Sequence, residues 1–419
     1  MRKLVTASIS LTAALTLAVT GCSSKATTGS GGDSAGGLKT DFGVTDKEIT
    51  LLELSDLSGV FKVISLAFAN GTKIWADEVN KAGGICGRDI KLDIQDTVYK
   101  AENAVPLYEA GKGEALAMIN LGGSHILAAL KTKINTDKMM TVPASWGSVN
   151  LDSDYVMMVG QTYDVEMINA LAYLQSDGKI ADGDKIGHIY VDSEYGQNGF
   201  LGSSAYAKEH NMQIVEAKIA ASDTDMNATI TKMKSEGVKA IAVTTPPGAM
   251  ASVAVQNQAQ GLNVPLVGNN PSFAPNMLTD PSVEAGLTDY YLASSVVPFG
   301  AGNTKAEEIL TALKAMTQDE PNIGVIQGYT WGLAYADMLQ KACDNGDMTR
   351  EGLLKAKQQI TGLDSDQLTG KLDFSVAGAP SSREGYVLTV DKSKPGGLAV
   401  KQELTESAEA KAYKAPFQK

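Results

Sequence analysis

The sequence predicts an α/β protein of two lobes, each a parallel sheet flanked by helices. Three observations predict it. From residue 49 onward, short apolar runs alternate with segments of helical period. The alternation restarts as a second set near residue 185. About 375 residues follow a low-complexity N-terminal tract, which is enough chain for two hydrophobic cores.

In the first set, "ITLLEL" (49–54) is a strand that ends at Ser55-Asp56. A helix over 67–81 carries apolar or small side chains at Ala67, Gly71, Ile74, Trp75 and Val79, and Gly83-Gly84 stops it. "IKLDIQD" (90–96) is the next strand, 101–111 a helix, and "ALAMINL" (115–121) a strand. "SHILAALKTKIN" (124–135) reads as a helix with Ser124 at its N-cap, followed by the strand "MMTVPA" (139–144). The second set runs "KIGHIYVD" (185–192), a helix over 196–210, "MQIVEAKI" (212–219) and a helix over 225–236. "KAIAVTT" (239–245), a helix over 249–260 and "VPLVGN" (264–269) continue it. "DYYLASS" (289–295) and helices over 304–317 and 328–342 follow. The aromatics Tyr329, Trp331 and Tyr335 lie at helical spacing, as core residues do.

Open α/β sheets bind ligands outside the carboxyl ends of their strands. The informative segments are therefore 56–61, 122–124, 144–147, 192–195, 245–248 and 269–272. They are polar, aromatic or Gly-rich, and two lobes facing each other through them would form a clamp.

The N-terminus sets the compartment. Met1-Arg2-Lys3 precedes a mostly apolar or small run over 4–19, the length of a signal-peptide core and short for a membrane span. Val19-Thr20-Gly21-Cys22 then looks like a bacterial lipobox, which implies acylation of the Cys22 thiol. "SSKATTGSGGDSAGG" reads as part of a flexible tether over 23–43. Gly32 to Gly36 matches a G-x-S-x-G nucleophile pattern, but with no strand before it. The expected location is extracytoplasmic, on the outer face of the bacterial cell membrane through the N-terminal lipid.

Formal net charge is −12 and no basic cluster occurs, which argues against nucleic acid. His125, His188 and His210 are scattered, so no metal site or cofactor is expected. Cys86 and Cys343 either form a disulfide or stay as two buried thiols.

Residues 54–96, with Ser58-Gly59, Gly71 and "VNKAGGICGRDIKL", resemble the opening of the branched-chain amino-acid-type (Leu/Ile/Val-binding-protein-like) substrate-binding proteins of ABC transporters. "GGSHILAA", "TVPASW", "YVDSEYGQNG" and "GLNVPLVGNN" follow in that family's order, so the likeness covers about 49–374. It implies a two-lobed type I periplasmic-binding fold with three interlobe crossovers near Gly160, Ser294 and Phe374. Lobe 1 would comprise 44–160 and 295–374, and lobe 2 would comprise 161–294 and 375–419. Both cysteines then share a lobe, which favours the disulfide.

The resemblance also implies site roles. Gly123 and Ser124 would hold a ligand carboxylate at a helix start. The segment Ala144, Ser145 and Trp146 would add main-chain groups, with Trp where the family commonly has Thr. Tyr195 would be an aromatic lid. The family's ammonium-binding carboxylate falls at Asn270 and a second aromatic at Pro246, so an α-amino acid is not secured. Asp56 or Glu194 could stand in for the carboxylate. Phe61 and Trp146 could stack on a flat ligand, or Trp146 could fill space left by a smaller one. The expected function is a solute-binding receptor of an ABC importer, not an enzyme. It would act as a monomer that captures a branched-chain amino acid, amide, keto acid or aromatic acid and docks on permease transmembrane subunits. The alternative is a sensor of the same fold that signals to a membrane receptor.

Overall fold

The computed structural model describes residues 37–419. Cys22 and the Gly32 to Gly36 pattern lie outside the described residues. Within the stretch expected to be tether, β1 (Lys39–Thr40) pairs in parallel with a two-residue strand at 347–348, and Phe42 lies under the Arg350 guanidinium, 4.7 Å from ring centroid to Cζ.

The first sheet is built from β2 (Glu48–Ser55), β3 (Asp89–Asp96), β4 (Ala117–Leu121) and β5 (Thr141–Pro143). Its order is β3-β2-β4-β5 and all pairs are parallel. Helices α1 (Lys62–Lys81), α2 (Ala101–Gly111) and α3 (Ser124–Thr136) alternate with these strands. Continuous burial in β4 and over most of β2 is what a parallel sheet covered on both faces requires.

The second sheet begins after α4 (Tyr163–Ser176), with β6 (Lys185–Val191), α5 (Glu194–Glu209), β7 (Gln213–Ile219), α6 (Asn227–Glu236) and β8 (Ala240–Thr244). It continues with α7 (Pro247–Ala259), β9 (Leu266–Asn269), α8 (Pro281–Gly286) and β10 (Tyr290–Ser294). The chain then returns to the first sheet through α9 (Thr304–Met316), α10 (Ile323–Asp344), β11 (Asp347–Met348) and α11 (Arg350–Gln358). A short ribbon of β12 (Thr361–Leu363) and β13 (Leu372–Asp373) precedes β14 (Gly385–Val390), β15 (Leu398–Thr405) and α12 (Ala408–Ala412). The second sheet runs β15-β14-β10-β9-β8-β6-β7. Five of its strands are parallel, and β14 and β15 add an antiparallel edge.

Helices α1 and α10 cross at close range because glycines meet backbone there. A Cβ on Gly71 would sit 2.1 Å from the Val325 carbonyl oxygen, and one on Gly328 would sit 2.1 Å from that of Phe68. Tyr329, Trp331 and Tyr335 are core residues, and Tyr335 donates to the Met118 and Met140 carbonyls at 2.8 and 3.0 Å. Cys86, in the turn after α1, is joined by a disulfide to Cys343 near the end of α10, with Cα atoms 5.9 Å apart. His188 is a buried structural group. Its Nδ1 faces Ser203 Oγ and its Nε2 faces Thr244 Oγ1, and burial pulls it down to about 3, so it is neutral.

The three segments that pass between the sheets are tied to one another. Gly160 N–H donates to Ser381 Oγ (2.9 Å), Gln161 N–H to Ser295 Oγ (3.1 Å), and Gln161 Nε2 to the Arg383 carbonyl (2.8 Å).

Candidate ligand-binding site

The carboxyl ends of β2, β3, β4 and β5 converge on one cavity, which is met from the other side by the starts of α4 and α5 and by the turn after β9. It encloses about 500 Å³ of non-atom space, part of it open to solvent. Six aromatic rings line it: Phe61, Phe68, Tyr99, Trp146, Tyr163 and Tyr195. They form two groups: Phe61 and Tyr99 lie 4.7 Å apart between centroids, while Phe68, Trp146, Tyr163 and Tyr195 follow one another at 6.2, 5.5 and 4.7 Å. The rest of the wall is Ile64, Ser65, Gly122, Gly123, Ser124, Ala144, Ser145 and Pro271. None of these side chains is charged.

The polar part of the wall is the start of α3. Gly123, with φ +106°, is the N-cap and Ser124 is the first helical residue, so the expected Ser124 cap is displaced by one position. The reason is steric. A Cβ at position 123 would lie 2.9 Å from the Tyr99 ring, and only glycine fits there readily. The first N–H groups of a helix have no partner within it, so the start of α3 presents donors and a positive dipole end to the cavity.

Seven of the ten residues expected at the site line the cavity: Phe61, Gly123, Ser124, Ala144, Ser145, Trp146 and Tyr195. The structure does not bring the other three to the wall. Asp56 turns back on its own loop, where Oδ1 accepts from Gly59 N–H (2.6 Å) and Oδ2 from Phe61 N–H (2.8 Å); it positions Phe61. Pro246 caps α7. Asn270 is buried, with the Glu166 carboxyl among its neighbours. Its neighbour Asn269 meets Tyr195 instead, whose hydroxyl lies 3.3 Å from Asn269 Oδ1 and 3.4 Å from the Thr245 carbonyl.

One main-chain donor expected for a ligand carboxylate is already used: Ala144 N–H donates to the Leu121 carbonyl at 2.9 Å. Glu194 lies behind Ser145, where its Oε1 accepts from Asn150 Nδ2 and lies 3.5 Å from Ser145 Oγ. Burial pushes its pKa up. Glu166 is fully buried, and burial holds its carboxyl well above the usual range despite the bond from Ser295 Oγ. Burial, and then the charge of Asp56, push the Tyr99 phenol up to about 12.

Tyr99, Tyr163, Ser65, Ile64 and Phe68 are wall residues that sequence reasoning missed. Tyr99 follows β3, so the strand-end rule covers it. Ser65 and Ile64 lie in the first turn of α1, ahead of where the apolar period becomes visible. Tyr163 opens α4, which is buried nearly all round and so shows little amphipathic pattern.

A family model described as periplasmic binding protein matches residues 48–395. No curated protein sequence matches the chain. Among solved structures, a fatty acid ABC transporter substrate-binding protein from Thermomonospora curvata is 31% identical, with a TM-score of 0.86 over 91% of this chain and 98% of that one. A branched-chain amino acid ABC transporter protein from Thermus thermophilus with bound valine is 15% identical, with a TM-score of 0.77 over 88% and 99%. A leucine binding protein from Thermotoga maritima is 15% identical, with a TM-score of 0.73 over 85% and 99%. With two helix-flanked sheets, a cavity at their strand ends and a family match over most of its length, the chain belongs to the periplasmic binding proteins of ABC transporters and has their type I fold.

Proposed function

We propose that the protein is the extracytoplasmic receptor of an ABC importer, and that its solute is a monocarboxylic acid with an apolar body. One observation carries the reading: the wall combines six aromatic rings with hydroxyls and a helix N-terminus, and contains no charged side chain. A carboxylate suits the Gly123 and Ser124 end, where N–H groups and Ser124 Oγ meet it. An apolar body suits the rings, at about 25 cal/mol per Å² removed from water. An amino acid's ammonium would find no free carboxylate on the wall, and an unpaired buried charge is costly. The fatty-acid name of the 31%-identical structure agrees with this reading.

The lobes are 44–160 with 295–374 and 161–294 with 375–419, and ligand contact with both favours closing. Cys22 carries the lipid that keeps the clamp beside its permease. The site comprises the seven wall residues named from the sequence together with Tyr99 and Tyr163.

A thermal-shift comparison tests the reading. Octanoate and phenylacetate raise the melting temperature of the purified protein, each contributing about 2.7 kcal/mol at a hundred times its Kd. Leucine and valine leave it unchanged. A shift with the amino acids and none with the acids overturns the reading.

A further inference from the structure

Exposed apolar side chains adjoin two residues of this cavity's wall along the chain. Among the described residues, eight large hydrophobic side chains are exposed, and three of them flank two adjoining wall residues. Val60 (83% exposed) precedes Phe61, Val63 (51%) follows it by two positions, and Val98 (37%) precedes Tyr99. The Phe61 and Tyr99 rings are the pair 4.7 Å apart. Single exposed valines need no explanation, but these three lie within two residues along the chain of two wall rings that touch each other.

The backbone supplies a second observation. Val98 and Tyr99 have φ of +53° and +55°. The left-handed region is unfavourable for any L-residue and most unusual for a β-branched one. Val98 N–H is held by Asp96 Oδ1 at 2.9 Å, and Tyr99 N–H by Thr97 Oγ1 at 3.3 Å. This strained turn puts the Tyr99 ring in the wall and leaves its aliphatic neighbour exposed. Strain of this kind is kept where the surroundings impose it, which is often at a ligand site.

We propose that Val60, Val63 and Val98 form an apolar lip over which the tail of a long-chain acid leaves the cavity, so that the receptor binds long-chain acids better than short ones. This rests on the carboxylic-acid reading and adds chain length to it. The carboxylate stays at the start of α3, the first carbons fill the ring-lined space, and later carbons lie against the lip. Each fully buried methylene is worth about fourfold in affinity, and a half-exposed one on the lip less.

The test compares octanoate with hexadecanoate by titration calorimetry, below the concentration at which the longer acid aggregates. The native protein binds hexadecanoate more tightly. The double variant Val60→Ser, Val63→Ser lowers the hexadecanoate-to-octanoate affinity ratio about five- to tenfold. Val98→Asn, on a different element, lowers the same ratio while raising the melting temperature, because Asn tolerates the left-handed region. A purely structural role for Val98 would not move the ratio. If octanoate binds and the ratio is the same in all three proteins, the lip is overturned and the carboxylic-acid reading stands. If neither acid binds the native protein, both fail.

Discussion

At the residue scale, the site is shaped by carboxyls that are kept away from it. Asp56 is spent on its own loop, Glu194 on Asn150, and Glu166 is sealed beneath Asn270 and Ser295. Glu166 makes this testable. Its carboxyl keeps its proton in the folded protein at pH values where the unfolded chain, titrating near 4.5, has lost it. The unfolded state then binds fewer protons, so this group lowers stability as pH rises from about 4.5 toward the raised folded value. Glu166→Gln keeps the shape and removes the titration. The expected outcome is a variant at least as stable as the native protein at pH 8, with a shallower loss of urea stability between pH 5 and 8. Glu53 is also fully buried, bonded to Thr72 and Asn120, with its pKa raised by burial. It retains part of the slope in the variant. An unchanged slope would mean that Glu166 is ionised in the folded protein.

At the element scale, the crossing of α1 and α10 is the joint of the first half of the molecule. It is held by glycine contacts along its length and closed at one end by the Cys86–Cys343 disulfide. The bridged residues are 257 apart in sequence, so the link removes much freedom from the unfolded chain. Cys343→Ser should lower unfolding free energy by about 3–5 kcal/mol, read as a shift of the urea midpoint under non-reducing conditions. The native protein under reducing conditions should approach the variant. A midpoint that is insensitive to both changes would show that helix packing alone sets the stability.

At the scale of the whole molecule, polar contacts join the segment after β5 to the helices that open the second half. Ser148 Oγ donates to Asp164 Oδ2 at 2.5 Å, Asn198 Nδ2 donates to Ser148 Oγ at 2.8 Å, and Asn150 donates to Glu194. None of these residues lines the cavity, yet Ser145 and Trp146 in the same stretch do. On the proposed clamp reading, these contacts bear on closing rather than on ligand chemistry. Removing them with Ser148→Ala and Asn150→Ala lowers the fraction of closed protein and weakens binding by the same factor. The expected loss is about tenfold, with a larger difference in small-angle scattering radius between the free and ligand-bound protein. Equal affinity and equal radii would mean that these bonds do not control closing.

The sequence by itself determined the order of elements, because alternating runs and their stops are local properties. β2, β3, β4, β6, β9 and β10 fall where apolar runs end in Ser, Asp, Asn or Gly, and the strand-end rule led to Gly123, Ser124, Trp146 and Tyr195. Two things were less visible. Helix α4 is buried on nearly all sides, and β14 and β15 reach the second sheet by long-range pairing. The destination of each polar side chain was decided only by the tertiary structure. Asp56, Asn270 and Pro246 follow strands of the two sheets, but Asp56 bonds to its own loop, Asn270 is buried and Pro246 is taken up as the N-cap of α7, so none lines the wall. Which of two neighbouring asparagines faces Tyr195, and whether a carboxyl is free or already bonded, depends on partners far away in sequence. Residue order fixes the chain's local conformation, while the chemistry of the cavity depends on which groups packing leaves unpaired.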